Sequence, residues 1–399
     1  MKLLSIALLL FSGSLYGQML APGNYRWQIQ RNDGQAIIFN TKVLEDGKRF
    51  LLINGADSLL VENISSKEDS IYIELPFYES AFMVKSDAAH NLQGEWIKSS
   101  AGVPVLRMPV IAEYGNRTRF PASKKTRYNV TGEWATTFTD EKKESKAGGE
   151  FVQNGNYITG TFRTPYGDYR FLQGIVSGDS ISLSGFDGSM ALLFKGKIYR
   201  KKIVGKMYSR NSDALDWHSD KGKVDLPDNL TKIKPDAGKV SFTFPDTDGN
   251  PVSINDDRYK NKVVVLQIMG SWCPNCLDEM QFIIDNYKRY EAMGVEFIAL
   301  AYERTDNFSE SQKALQPFLK KFDIPYPILI PPVSVADEHK TEKTIPQIDN
   351  IVAFPTTIFI NKSGYIVKVH NGFDGPATGI HFTRYKEEFE QTLKALSAQ

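Results

Sequence analysis

Gly270-Ser271-Trp272-Cys273-Pro274-Asn275-Cys276 follows directly on the apolar run Val263-Val264-Val265-Leu266-Gln267-Ile268-Met269. Leu277, Met280, Ile283, Ile284 and Tyr287 come next, at helical spacing. The order predicts a buried strand, a tight turn and a helix that carries both thiols in its first turn. These two cysteines are the only ones in 399 residues. A helix N-terminus offers unpaired N–H groups and the positive end of the peptide dipole, which stabilise a thiolate. The thiolate is the attacking species in disulfide exchange, and the two-residue spacing lets the second thiol reach the first. Pro274 suits an early helical position, where a missing N–H leaves no bond unmade.

Other uses of a Cys-x-x-Cys pair fit less well. A zinc knuckle needs two further ligands, and the five histidines (His90, His218, His339, His370, His381) show no ligand spacing near the pair. A purely structural disulfide would close a very short loop and stabilise little. Redox work in a strand–turn–helix context is the reading adopted. No metal or organic cofactor is implied.

The length predicts two or three domains. A formal net charge of +1 gives no electrostatic case for nucleic acid or an acidic membrane surface. Met1-Lys2, the apolar stretch Leu3 to Phe11 and the small, polar residues to Gly17 read as a secretory signal peptide over 1–17. No cysteine follows the apolar stretch, which argues against a bacterial lipid anchor. No later segment reaches transmembrane length. The expectation is an exported, periplasmic chain with no transmembrane segment once mature.

Residues 18–224 read as β. Short apolar or alternating runs recur between turn signals, as in Ala36-Ile37-Ile38-Phe39, Ser70-Ile71-Tyr72-Ile73-Glu74-Leu75 and Ser180-Ile181-Ser182-Leu183. Asn154-Gly155 predicts a hairpin turn. Gly-Glu-Trp occurs at 94–96 and 132–134, with the related Gly160-Thr161-Phe162. A sandwich or barrel is expected. Its aromatics (Trp27, Tyr72, Phe77, Trp96, Trp134, Phe162, Tyr169, Phe171) are read as core filling, the alternative being a ligand site in a barrel mouth. Residues 225–239 hold turn residues without periodicity and are read as a linker. From 240 to 399 strands and helices alternate, which predicts an α/β domain with helices on a mixed sheet. The overall expectation is a multidomain chain, all-β sandwich or barrel first, α/β second.

With strand, Trp-Cys-x-x-Cys, helix and the later Phe354-Pro355-Thr356-Thr357 in order, the region from about Lys239 resembles the thioredoxin superfamily. It is most similar to the TlpA/ResA-like extracytoplasmic thiol–disulfide oxidoreductases. Phe242-x-Phe244-Pro245-Asp246-x-x-Gly249 resembles the extra hairpin of that branch. The resemblance implies that Cys273 attacks, that Cys276 resolves, and that Pro355 is a cis-proline facing the disulfide. It implies that Trp272, Pro274, Phe354 and Pro355 border the substrate. It also implies disulfide-containing exported proteins as substrates and a membrane thiol-reductant donor. Thioredoxins carry a buried acid where this chain has Gln267, and an amide exchanges no proton at neutral pH. Glu279, three residues beyond Cys276 on the same helical face, is the candidate proton acceptor; a solvated helix glutamate is the other reading. Two rivals stay open. A peroxidase of the same fold would need Thr-x-x-Cys, which Gly270-Ser271-Trp272-Cys273 does not supply. The β-rich half could instead carry the main role as a ligand- or partner-binding protein.

Overall fold

The β character of the N-terminal half resolves into two nine-stranded sheets. The computed structural model describes residues 20–399 apart from 101, 142, 228 and 229. The expected signal peptide and the Asp228-Asn229 part of the expected linker lie outside the described residues. In the first sheet sequence neighbours pair antiparallel, except Asp57–Val61 and Asn63–Lys67, and the first strand, Gly23–Gln30, also pairs with the last, Val103–Tyr114. The sheet curls around one core that holds Trp27, Phe39, Phe82 and Trp96. Its two edges are Asp57–Val61 and Asn63–Lys67. The second sheet runs from Gly132–Thr139 to Leu215–Lys221. Its ends pair through Glu144–Asn154 and Tyr157–Thr164, so it closes into a ring around Trp134, Phe162, Phe194 and Trp217. Among the described residues, only the two-residue strand Gly167–Asp168 hangs outside that ring, on Tyr157–Thr164.

The β-rich part expected over 18–224 holds two barrel-like sheets, each around a core of its own, with Phe186, Ala191 and Leu193 of the second packing into the core of the first. Strand number sets a barrel's diameter, so the side chains that fill one small ring cannot absorb all of these strands. The two buried indole N–H groups of the first sheet find partners on neighbouring strands: Trp27 donates to Thr41 Oγ1 at 2.9 Å and Trp96 to Ser80 Oγ at 2.7 Å. Of the aromatics read as core filling, Trp27, Trp96, Trp134 and Phe162 are fully buried. Phe77 instead leaves the barrels and packs on Phe318 and Phe322 of the C-terminal part. Two of the three Gly-x-aromatic matches sit where a neighbouring strand's backbone comes close. A Cβ on Gly94 would stand 2.0 Å from the Met83 carbonyl oxygen, and one on Gly160 2.1 Å from that of Glu150. The Asn-Gly hairpin is shifted by one residue: Asn154 pairs with Tyr157, which leaves Gly155 and Asn156 as the loop.

The second half of the segment read as a linker is attached to the C-terminal part. Thr231 N–H donates to Asn371 Oδ1 at 2.8 Å, and Ile233 bridges Ile348. Turn-rich composition does not register such long-range pairing.

The C-terminal part is the expected thioredoxin-like α/β layer. Its five-stranded sheet has the order Ile328–Leu329, Val295–Ala301, Val263–Met269, Thr356–Ile360, Ile366–Asn371. The first three are parallel and the last two antiparallel to their neighbours. The central strand Val263–Met269 is buried along its whole length. Its odd-numbered residues face α1 (Pro274–Glu291), α2 (Phe308–Lys321) and α4 (Ile380–Ser397), with α3 spanning Lys340–Thr344; the even ones face Phe242, Phe244 and Tyr259. A strand covered on both faces reads as a continuous apolar run, as this one does except at Gln267.

The ring geometry makes a direct prediction. Gly160→Ala forces a methyl into the Glu150 carbonyl and is expected to destabilise the second barrel by roughly 1–3 kcal/mol. Thermal unfolding followed by circular dichroism checks this; an unchanged midpoint would mean that the strands spread apart without penalty.

Candidate active site

The central strand ends at Met269, and the chain turns at Gly270 into α1. A Cβ on Gly270 would stand 2.4 Å from the Trp272 indole nitrogen, so glycine permits the close return of the indole. Trp272 Nε1–H donates to the Tyr302 carbonyl at 3.0 Å, and its ring lies 5.0 Å from that of Phe354. Cys273 is the N-cap of α1, and Pro274 takes an opening helical position. The Cys276 N–H donates to Cys273 Sγ at 3.2 Å. Cys273 and Cys276 are joined as a disulfide, with Cα atoms 5.3 Å apart. Cys273 Sγ also lies 3.4 Å from the Phe354 carbonyl oxygen, and the Phe354–Pro355 peptide is cis. The structure thus brings Trp272, Cys273, Pro274, Cys276, Phe354 and Pro355 together at one end of the sheet.

Glu279 is fully buried, not a solvated helix residue. Helical spacing returns it to the sheet-facing side of α1, the side on which Gln267 also projects. Gln267 Nε2 donates to Glu279 Oε2 at 2.8 Å, and Tyr385 OH donates to Oε1 at 2.8 Å. Thr357 Oγ1 donates to the same oxygen. Burial pushes the Glu279 carboxyl up from its ordinary value, and the bonds from Thr357, Tyr385 and Gln267 offset part of that. Gln267 Nε2 also lies 3.4 Å from the Cys276 carbonyl, so the amide links the acid to the Cys276 backbone. Sequence reasoning found Gln267 and Glu279 but missed Thr357 and Tyr385. Thr357 stands inside the Phe-Pro-Thr-Thr stretch, and strand alternation away from it would have aimed it at the α1 side.

Further polar groups border the motif. Ser271 N–H and Oγ donate to the buried Glu303 carboxylate at 2.7 and 2.6 Å, and burial pushes that carboxyl up. Lys98 of the first sheet donates to the Ser189 carbonyl at 3.2 Å, and Ser189 Oγ lies within hydrogen-bond reach of the Trp272 carbonyl at 3.4 Å. Burial lowers the Lys98 ammonium to about 8. Arg170, in the connection after the Gly167–Asp168 strand of the second barrel, reaches Asp278, two residues beyond Cys276. No local pattern marks Lys98 or Arg170, because each meets the site across more than a hundred residues of chain; the Arg170–Asp278 separation is 108. As for a metal, Glu133, Glu150 and His381 bring ligand-type atoms within 4.8 Å of one another. The His381 imidazole and the Arg163 guanidinium already face Glu150, at 3.0 and 3.9 Å.

Comparisons with known proteins bear on the C-terminal part. A family profile described as Redoxin matches residues 234–385. The "Thiol-disulfide oxidoreductase ResA" of Bacillus thuringiensis (strain Al Hakam) is 30% identical over 139 residues, which is 34% of this chain and 70% of the relative. The chain belongs to the thiol–disulfide oxidoreductase family. The ResA protein of Bacillus subtilis (strain 168) is 29% identical over 140 residues, 35% of this oxidoreductase and 69% of that relative. A thiol:disulfide interchange protein of the thioredoxin family from Chlorobium tepidum TLS is 23% identical with a TM-score of 0.31, over 41% of this oxidoreductase and 99% of that chain.

A pH-sensitive contact joins the barrels to the oxidoreductase layer. Asp168 Oδ2 accepts from the Gly375 N–H at 2.7 Å, and burial, then the nearby Asp278 charge, pushes its carboxyl up to about 7. A raised folded pKa means that the stability contribution is complete below the unfolded value and lost as pH rises through about 7. Between pH 5 and pH 7 that loss is of order 2 kcal/mol. The unfolding midpoint relative to an Asp168→Asn variant is therefore expected to fall as pH goes from 5 to 8; a constant difference would show that Asp168 does not titrate there.

Proposed function

We propose that this oxidoreductase is an exported, periplasmic reductase of protein disulfides, with Cys273 as the attacking thiol and Cys276 as the resolving thiol. The observation that carries the reading is the position of Cys273: N-cap of α1, its sulfur accepting the Cys276 N–H. That N–H and the helix dipole stabilise negative charge on this sulfur. The Cys273 thiolate attacks one sulfur of a substrate disulfide, and the other substrate sulfur leaves as a thiolate that takes a proton. Cys276 then loses its proton and attacks Cys273 Sγ, expelling the second substrate sulfur. Two electrons and two protons pass to the substrate, and Cys273–Cys276 is left oxidised. A membrane thiol donor restores the dithiol.

Trp272, Pro274, Phe354 and Pro355 border the sulfur that meets substrate. The Phe354 carbonyl beside Cys273 offers an acceptor to an extended substrate segment. Glu279 takes the proton of Cys276. Burial raises its pKa, which makes it a stronger proton acceptor than a solvated carboxylate, and its fixed bonds to Gln267 and Tyr385 hold it beside the first turns of α1. Export rests on the N-terminal stretch of sequence. The peroxidase alternative has no support here, since a threonine in place of Gly270 would collide with the Trp272 indole.

Cys273→Ser is expected to abolish insulin reduction, and Cys276→Ser to accumulate mixed disulfides; activity surviving Cys273→Ser would overturn the assignment. Glu279→Gln keeps the side chain's shape and removes the acceptor. It is expected to slow resolution of a preformed mixed disulfide at neutral pH by about tenfold to a hundredfold, with less effect near pH 9. Stopped-flow measurement of that step across pH decides; an unchanged profile would leave Glu279 a structural acid.

A further inference from the structure

The redox pair is enclosed on one side by the β-rich half of its own chain. Cys273 is 4% exposed, and Asn275, between the two cysteines, is 9% exposed. The Thr164–Gly167 turn of the second barrel lays Gly167 against Asn275: a Cβ there would stand 2.9 Å from Asn275 Oδ1. The same backbone lies against Gly372, where a Cβ would stand 2.7 Å from the Gly167 nitrogen. Asp168 holds the Gly375 N–H, and Arg163 stands 3.8 Å from Asp374. The hairpin therefore runs along the 372–375 loop as well as over the motif.

Arg170 clamps it there. Its Nε and Nη2 donate to the two Asp278 oxygens, each at 2.8 Å, in a bidentate pair. The same guanidinium lies 3.2 Å from Asp187 and 3.7 Å from Asp57. One cation thus meets carboxylates from α1, the second barrel and the first barrel. Removing it leaves three shielded carboxylates with no shared counter-charge, which drives the surfaces apart. Ser271 and Trp272 also line a narrow cavity with Lys98, Glu79 and Arg304, of about 40 Å³. A sulfur as little exposed as that of Cys273, next to a hairpin packed on Asn275, is approached by a small disulfide or one extended segment more easily than by a folded protein surface.

We infer that Arg170 is a specificity-determining residue of this oxidoreductase: its clamp keeps the 164–170 hairpin beside Cys273 and so discriminates against disulfides on folded protein surfaces in favour of small or extended ones. Arg170 touches neither sulfur, so the bonds made and broken in the exchange are those already given. The inference rests on Cys273 being the attacking thiol.

The test uses the reduced full-length chain and two substrates, hydroxyethyl disulfide and folded insulin, with Arg170→Ala, Arg170→Lys and Asp278→Asn. Arg170→Ala is expected to raise the insulin-to-small-disulfide rate ratio by about tenfold or more, and Arg170→Lys and Asp278→Asn by less, with the small-disulfide rate nearly unchanged in the arginine variants. Asp278→Asn keeps shape and one acceptor, so it carries the test if Arg170→Ala does not fold. An unchanged ratio in a folded variant, with small-disulfide exchange intact, overturns the inference alone. A wild-type chain that fails to exchange even with hydroxyethyl disulfide overturns the reading of Cys273 and the inference with it.

Discussion

The burial of Val263–Met269 on both faces constrains everything around the site. A strand with no solvent-facing side must have helices or loops over each face, and here α1, α2 and α4 cover one face and the 242–259 segment the other. Its C-terminal end is then the place where the chain can leave the layer. It does so through Gly270 into α1, which puts Cys273 at a helix N-terminus beside the strand ends. The pairing of Thr356–Ile360 with the central strand brings the Phe354 carbonyl to the sulfur.

That layer buries a polar cluster between its central strand and α1. Gln267, Glu279, Thr357 and Tyr385 come from the central strand, α1, the neighbouring strand and α4. Each donor is aimed at the carboxylate, and a buried acid is tolerable only with such partners. The cluster also explains why an amide at 267 is compatible with a buried acid nearby. The acid stands on the helix, and the amide of the strand donates to it.

The two barrels do more than precede the oxidoreductase layer. Asp57 from one and Asp187 from the other converge with Asp278 of α1 on a single guanidinium. Three carboxylates around one cation make the three units depend on one another at that point. Phe77 on Phe318 and Phe322 adds an apolar contact at the first barrel, and Thr231 with Asn371 ties down the connecting segment.

Local sequence was enough for the oxidoreductase layer. An apolar run, a Cys-x-x-Cys turn and a 3.6-residue repeat are short-range signals, and they determined strand, turn, helix and the placement of both thiols. Glu279 was legible for the same reason, since three residues of helix return a side chain to one face. Short strands and turn signals likewise determined that the first half is β. They could not say how many barrels it forms, because closure depends on Glu144–Asn154 meeting Tyr157–Thr164 while Leu215–Lys221 meets Gly132–Thr139. The burial of Glu279, Tyr385's bond to it, and the convergence of Arg170 with Asp57, Asp187 and Asp278 were decided only in the tertiary structure. Each joins elements far apart in the chain, and an isolated arginine or tyrosine carries no periodicity that would announce its partner.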